Sequence, residues 1–301
     1  MTRMTRRTPE MANGTAGAAA AADAAHHAAR MARARVLAVD GRTARWRDDR
    51  LAGEEPLQIA AAGPGQEPIQ VAVTMRTPGH EAELAIGFLF SEGLIGPGEV
   101  RDVLFGDPAR DARPDDTIVV RLTVPFDATR VAERHFVATA SCGICGKASI
   151  DEVAMRCEPL PDGPTVDQTT LVRMPEALRA AQETFEATGG LHASGLFEPD
   201  GTLVTVREDV GRHNALDKLI GERYLSGALP LHRSVLLVSG RISFELVQKA
   251  AVAGVPLLAA VGAPTDLAVA TAERLGMTLV GFLRGERFNV YSRADRVRLG
   301  A

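Results

Sequence analysis

Two of the three cysteines in this 301-residue chain stand close together, in Ser141-Cys-Gly-Ile-Cys-Gly146, with Lys147 directly after them. A thiol pair at this spacing can hold a metal, exchange a disulfide, or carry a sulfur atom as a persulfide. A structural zinc site takes four ligands; Cys157 offers a third thiolate, but no nearby pair completes the set. Zinc nucleobase deaminases place Pro-Cys-x-x-Cys behind an upstream His-x-Glu. Here Ser141 fills the proline position and no His-x-Glu precedes the cysteines. Thioredoxin-type exchange wants the pair after an early strand of a compact domain, whereas this pair lies in mid-chain between glycines. Sulfur transfer needs a reactive thiolate, which a helix N-terminus or a neighbouring cation favours. Gly143 and Gly146 relieve crowding at both sulfurs, and Lys147 adds positive charge. Spacing alone leaves these chemistries open, together with two unreactive cysteines in an ordinary loop.

Composition narrows the setting. Apolar residues make up 46% and charged residues 24%, which is enough to fill a globular core. A formal net charge of −4, with no long basic run, gives no support to a nucleic-acid or membrane-surface role. No apolar run approaches a membrane span. Three cysteines make no secreted disulfide framework, so a reducing cytoplasm is expected. Residues 1–34 are Ala-rich with little large apolar side chain and read as a disordered extension. Arg6-Arg7 lacks the apolar segment of an export signal, and His26-His27 reads as solvated.

The elements that must position the thiols begin at Val36–Val39, a short strand, followed by a strand at Ile69–Met75. A helix over Pro78–Phe90 puts Leu84, Ala85, Phe88 and Leu89 on one face. Strands at Ile118–Val124 and His135–Ala138 then lead to the cysteine loop, and a helix is expected after it. Cys157-Glu-Pro-Leu-Pro-Asp-Gly-Pro164 is a linker, so the chain divides into 35–165, an α+β portion ending in the cysteine loop, and 166–301. Pro175 opens a helix with Met174, Leu178, Ala181 and Phe185 inward, ended by Gly189-Gly190. Glu198-Pro-Asp-Gly201 joins two short strands, Leu191–Phe197 and Thr202–Val206. Next comes a helix burying Leu216, Leu219 and Ile220. Strands at 235–238, 255–261 and 278–283 then alternate with helices at 244–253 and 266–275. This alternation predicts a mainly parallel layer covered by helices, hence an α/β or mixed α+β fold.

Ligands gather at the carboxyl ends of such strands. The polar turns there are Ser239-Gly-Arg241, Ala263-Pro-Thr265 and Arg284-Gly-Glu-Arg287. Asp209, Arg212 and His213 form another turn at a helix start, where backbone N–H groups favour an anion. Asp209 reads equally as a helix cap, and His192 equally as a core histidine. Glu245 and Lys249 have the spacing and order of a surface ion pair.

Taken together, the motifs resemble the FdhD family, from about residue 55 to residue 292. They are Ser141-Cys-Gly-Ile-Cys-Gly146, Thr188-Gly-Gly-Leu-His-Ala193, Glu208-Asp-Val-Gly-Arg-His-Asn-Ala-Leu-Asp-Lys218, Ser239-Gly-Arg-Ile-Ser-Phe-Glu-Leu-Val-Gln-Lys249 and Ala263-Pro-Thr265. The resemblance implies a sulfurtransferase needed for active formate dehydrogenase. A cysteine desulfurase would load sulfur on the Cys-x-x-Cys loop. The protein would pass it to the bis-guanine-dinucleotide form of the molybdenum (or tungsten) cofactor. By the same resemblance Cys142 is the persulfide carrier and Cys145 its partner. Phe282, Leu283, Arg284, Gly285, Glu286 and Arg287 match the family's cofactor-binding segment. The implied fold is a cytidine-deaminase-like three-layer sheet, in a homodimer. Cations suit the pyrophosphates, and Glu286 suits the N1–H and amino group of a guanine.

Overall fold

The computed structural model describes residues 30–106, 116–131 and 159–300. Cys142, Cys145 and Cys157, the strand expected at 135–138 and the helix expected after Cys145 lie outside the described residues. The described residues open with a hairpin of β1 (Met31–Asp40) and β2 (Thr43–Ala52), paired along their whole length. β1 therefore begins ahead of Val36 and includes residues 31–34, which composition had assigned to the extension. Ten cross-strand pairs override the weak local pattern.

Next come β3 (Glu55–Ala62), β4 (Ile69–Arg76), α1 (Glu81–Ser91), β5 (Val100–Phe105) and β6 (Thr117–Leu122). The strands form a four-stranded sheet in the order β4-β3-β6-β5. As expected, Leu84, Ala85 and Leu89 of α1 are buried. Phe88 is only half-buried and instead carries the Lys249 ammonium 5.2 Å above its ring.

A short β7 (Val166–Asp167) leads to α2 (Gln168–Leu171), α3 (Met174–Ala180) and α4 (Glu183–Thr188). The single helix expected here is broken, which leaves Ala181 and Phe185 half-buried. The cause lies outside the helix: the Glu208 carboxylate accepts from the Thr184 and Phe185 amides, at 3.0 and 2.8 Å, and starts a new helix there. Gly189, in the left-handed region at φ 69°, ends α4.

The main sheet follows: β8 (His192–Phe197), β9 (Leu203–Asp209), α5 (Arg212–Leu225), β10 (Val235–Val238), α6 (Phe244–Val252), β11 (Leu257–Ala260), α7 (Asp266–Leu275), β12 (Thr278–Arg284) and β13 (Arg287–Ser292). Its order is β13-β12-β11-β10-β8-β9. Only β10, β11 and β12 run parallel; the flanking pairs are antiparallel. The expectation of a mainly parallel layer thus holds for the centre alone. The turns at 198–201 and 284–287 are too short for a crossover and force antiparallel pairing. A last strand, β14 (Val297–Arg298), pairs with β7.

Alternation along the central strands makes three layers. Leu236, Val238, Leu258 and Ala260 face α5, α6 and α7, in a core continuous with α1 and the small sheet. Val235, Leu237, Leu257 and Ala259 face Leu171, Met174 and Leu178 of α2 and α3. This is the α/β sheet, with helices on both faces, that a cytidine-deaminase-like arrangement implies.

Two glycines fix how α1 meets α5. A Cβ on Gly87 would lie 1.8 Å from the Asp217 carbonyl oxygen, and one on Gly221 the same distance from that of Glu83. The two backbones touch. Beside this crossing Lys249 is 5% exposed and donates to both Asp217 oxygens at 2.9 and 3.0 Å, to Ser91 Oγ at 2.9 Å and to Glu92. The surface pairing expected between Lys249 and Glu245 is therefore replaced by a buried one. Burial alone would lower the Lys249 pKa, and the carboxylates of Asp217 and Glu92 hold it above its usual range.

Arg207 of β9 reaches α1 through a bidentate grip on Glu83, with Nη2 2.8 Å from Oε1. Burial pushes the Glu83 carboxyl up, but Arg207 and His80 outweigh it and hold it at about 2. A carboxyl lowered by folding stabilises above its ordinary value of 4.5 and loses that contribution as pH falls towards 2. Denaturant titrations across this range should show stability falling with acid. Glu83→Gln should lower the stability at neutral pH and flatten that limb; an unchanged limb would exclude the ion pair as its source.

Candidate functional site

The carboxyl ends of β10, β11 and β12 form one continuous edge because their turns are bonded together. Gly262 donates to the Gly240 carbonyl at 3.0 Å, Ile242 to Ala263 at 3.0 Å, Thr265 to Ile242 at 3.0 Å and Phe282 to Gly262 at 2.9 Å. The turns approach this closely only over glycine. A Cβ on Gly262 would sit 2.6 Å from the Gly240 oxygen, and one on Gly281 would sit 2.8 Å from Pro264 Cδ. The three polar turns expected at the rim are thus brought together, packed closely against one another.

At the β12 end, Arg284, Gly285, Glu286 and Arg287 form the exposed turn into β13. Arg284 Nε donates to the Val261 carbonyl at 3.1 Å, so this arginine is tied to the neighbouring turn. Phe282 has φ 55° and is exposed, a conformation disfavoured for a bulky residue and imposed here by a bulge after Gly281. Leu283 points the other way: it is fully buried in the second core, so its side chain cannot meet a ligand.

At the other end, β8 starts with His192 and α5 starts with Arg212 and His213. Asp209 is fully buried. It pairs with Lys218 at 2.7 Å and accepts from the amides of Thr77 and Gly211 and from Asn214 Nδ2. With both oxygens engaged inside the protein, Asp209 is neither an exposed ligand nor the cap of α5, whose N-cap is Gly211. It holds the turn that presents Arg212. Burial pushes Lys218 down against the pull of Asp209.

Arg212 Nε and, on β8, Ser194 Oγ are buried and have no hydrogen-bond partner among the described residues. His213 Nε2 lies 2.7 Å from Glu245 Oε2 and 3.3 Å from Ser243 Oγ. The Glu245 carboxyl is held below its usual range, chiefly by this hydrogen bond. Glu245 had looked like the partner of Lys249, four residues on; the fold turns it instead towards His213, and no local pattern signals that. His192 is half-buried between α5 and Gly240, and no side-chain hydrogen bond is formed by it among the described residues. It is therefore not a satisfied core histidine. Among the described residues no group of three or more His, Cys, Asp or Glu is placed to hold a metal. Nor is any helix there long and apolar enough to cross a membrane.

A three-layer α/β sheet whose strand-end edge gathers arginines, histidines and tightly packed glycine turns defines the class. Within that class the chain belongs to the FdhD/NarQ family, whose family model matches residues 52–298. It is 47% identical over 272 residues to a sulfur carrier protein FdhD of Mycolicibacterium paratuberculosis, covering 88% of this chain and 98% of that one. It is 49% identical over 280 residues to the sulfur carrier protein FdhD of Streptomyces coelicolor, covering 89% and 96%. A crystal structure described as a formate dehydrogenase accessory protein, from Desulfotalea psychrophila, superposes with a TM-score of 0.69 at 25% identity. That match covers 89% of this chain and all of the other.

Proposed function

We propose that this chain is a cytoplasmic sulfur carrier that serves the maturation of formate dehydrogenase. The observation that carries the reading is near-full-length likeness to proteins named sulfur carriers, in a chain that has both a Cys-x-x-Cys pair and a cationic sheet edge. The Cys142 thiolate attacks the outer sulfur of a cysteine desulfurase persulfide; the donor's S–S bond breaks and its thiolate leaves. Attack by Cys145 on the Cys142 sulfur then forms a disulfide and releases the outer sulfur as hydrosulfide. The two electrons come from the two cysteines, and a cellular dithiol restores them. The recipient is the bis-guanine-dinucleotide molybdenum (or tungsten) cofactor, bound as substrate along the rim and then inserted into the formate dehydrogenase catalytic subunit. Arg212, Arg284 and Arg287 supply charge for its pyrophosphates, and the exposed Glu286 supplies an acceptor for guanine. The working unit is a homodimer.

Incubation with a cysteine desulfurase and free cysteine, followed by peptide mass spectrometry without reductant, tests the carrier step. Added sulfur that reductant removes is expected on Cys142 or Cys145. Cys142→Ala should abolish formate dehydrogenase maturation while guanine nucleotide still binds. Full maturation by a chain lacking both thiols would turn the reading into that of a cofactor chaperone.

A further inference from the structure

Resting on the proposed carrier reading, we infer that one face of the β1–β2 ribbon is a docking surface for an acidic protein partner, and that this partner is the sulfur donor. Cross-strand partners share a face of the ribbon, and successive residues alternate between its two faces. The two faces differ. One carries Ala34, Val36 and Ala38, all half-buried. The other is exposed at every alternate position from Arg33 to Val39 and from Ala44 to Arg50. It is this second face that has no cover from the rest of the fold.

Towards the turn, that face is apolar. Leu37 stands directly opposite Trp46, with Val39 one alternate position further on. They are 49%, 61% and 68% exposed, an apolar cluster left in water. Towards the base, the same face is cationic. Arg33 stands directly opposite Arg50, and like charges so placed repel each other. Among the described residues the ribbon's one arginine paired with a carboxylate is Arg47, 3.8 Å from Asp49. Arg35 lies over the Trp46 ring. A partner carboxylate set between Arg33 and Arg50 turns one repulsion into two attractions.

The pattern selects a protein as occupant. Residues 31–52 hold six arginines and three aspartates in a chain whose formal net charge is −4, so the ribbon is a cationic island. The aspartates interrupt the continuous positive track that a nucleic-acid backbone needs. Exposed tryptophan and arginine are the residue types that dominate binding energy between proteins. The complement is a surface with carboxylates about 14 Å from an apolar side chain, the span of the four residues from Arg33 to Leu37.

Two protein encounters occur in the carrier reading. In delivery, the cofactor is gripped by both proteins and itself bridges them. In loading, a single sulfur atom passes between two thiols and offers no such grip, so the affinity has to come from protein surface. The ribbon supplies it.

Sedimentation velocity and sulfur-loading kinetics on the full chain with a cysteine desulfurase, at about 50 and about 300 mM salt, test the assignment. Arg33→Glu replaces the like pair with an opposite one. Its urea midpoint should hold or rise while desulfurase binding weakens about tenfold and loses most of its salt dependence. Trp46→Ser should weaken binding about as much but keep the salt dependence, and serves as the test if the first variant fails to fold. In loading, both changes should raise the carrier concentration needed for half-maximal rate about tenfold and leave the saturated rate unchanged. Variants that bind and load like the unaltered chain would overturn the dock while leaving the carrier reading intact. So would variants that lose only self-association, or only binding to the formate dehydrogenase catalytic subunit. An unaltered chain that takes no sulfur from an active desulfurase would overturn the carrier reading as well.

Discussion

Gly221→Ala is expected to remove most of the stability of the fold. The new methyl would sit 1.8 Å from the Glu83 carbonyl oxygen, and a backbone atom in the first turn of α1 cannot turn aside as a side chain can. The helices must separate, opening a core that α1 and α5 share with both sheets. Overpacking of this kind costs about 3 kcal/mol or more, a large share of a domain's usual margin. Urea unfolding followed by circular dichroism should show a midpoint far below that of the unaltered chain. Gly190→Ala is the control: its methyl would lie 3.4 Å from the Ala52 Cβ, an ordinary contact, and its midpoint should barely move. A normal midpoint for Gly221→Ala would mean that the two helices do not cross at these glycines.

Lys249→Met should be nearly as damaging, for an electrostatic reason. It leaves Asp217, 1% exposed, without its cation among Ser91, Glu92 and apolar core. Breaking one side of a buried pair typically costs 3–5 kcal/mol, roughly, whereas replacing both sides with apolar groups is often neutral. The double change Lys249→Met with Asp217→Leu should therefore recover much of the loss. Denaturant midpoints of the two single variants and the double decide the matter. A double variant no better than the worse single one would assign the loss to packing alone.

What could be read beforehand divides along a physical line. Elements whose periodicity is local were legible: the buried stripe of α1, the hairpin turned by Glu198-Pro-Asp-Gly201, and the strand–helix alternation from β10 to β12. Features decided by distant partners were not. β2 is too charged and β3 too rich in alanine to read as strands, yet each is held by a neighbour's hydrogen bonds. β13 was missed because its approach was read only as a ligand loop. Glu245 and Lys249 satisfied a local rule, but His213 and Asp217 offered closer partners.

At the site, Arg284 to Arg287 were found where motif and topology both placed them. Leu283 and Asp209 shared their motifs but face inward, since a motif names neighbours in sequence and not the side of the backbone they occupy. His192 was the reverse case: a histidine after two glycines reads equally as core or as a site residue, and the sequence does not show that Arg212 and Gly240 lie beside it.

The hairpin of β1 and β2 has a spectroscopic consequence. Trp46, the one tryptophan in the sequence, is 61% exposed on β2, with the Arg35 guanidinium 5.7 Å over its ring. Neither hydrophobic core contains an indole. Emission excited at the tryptophan band is already that of a wetted chromophore in the native protein, so it reports on this ribbon and stays nearly silent while the cores melt. A blue shift on adding a partner protein or raising the protein concentration would place that contact on the hairpin, without any label being attached.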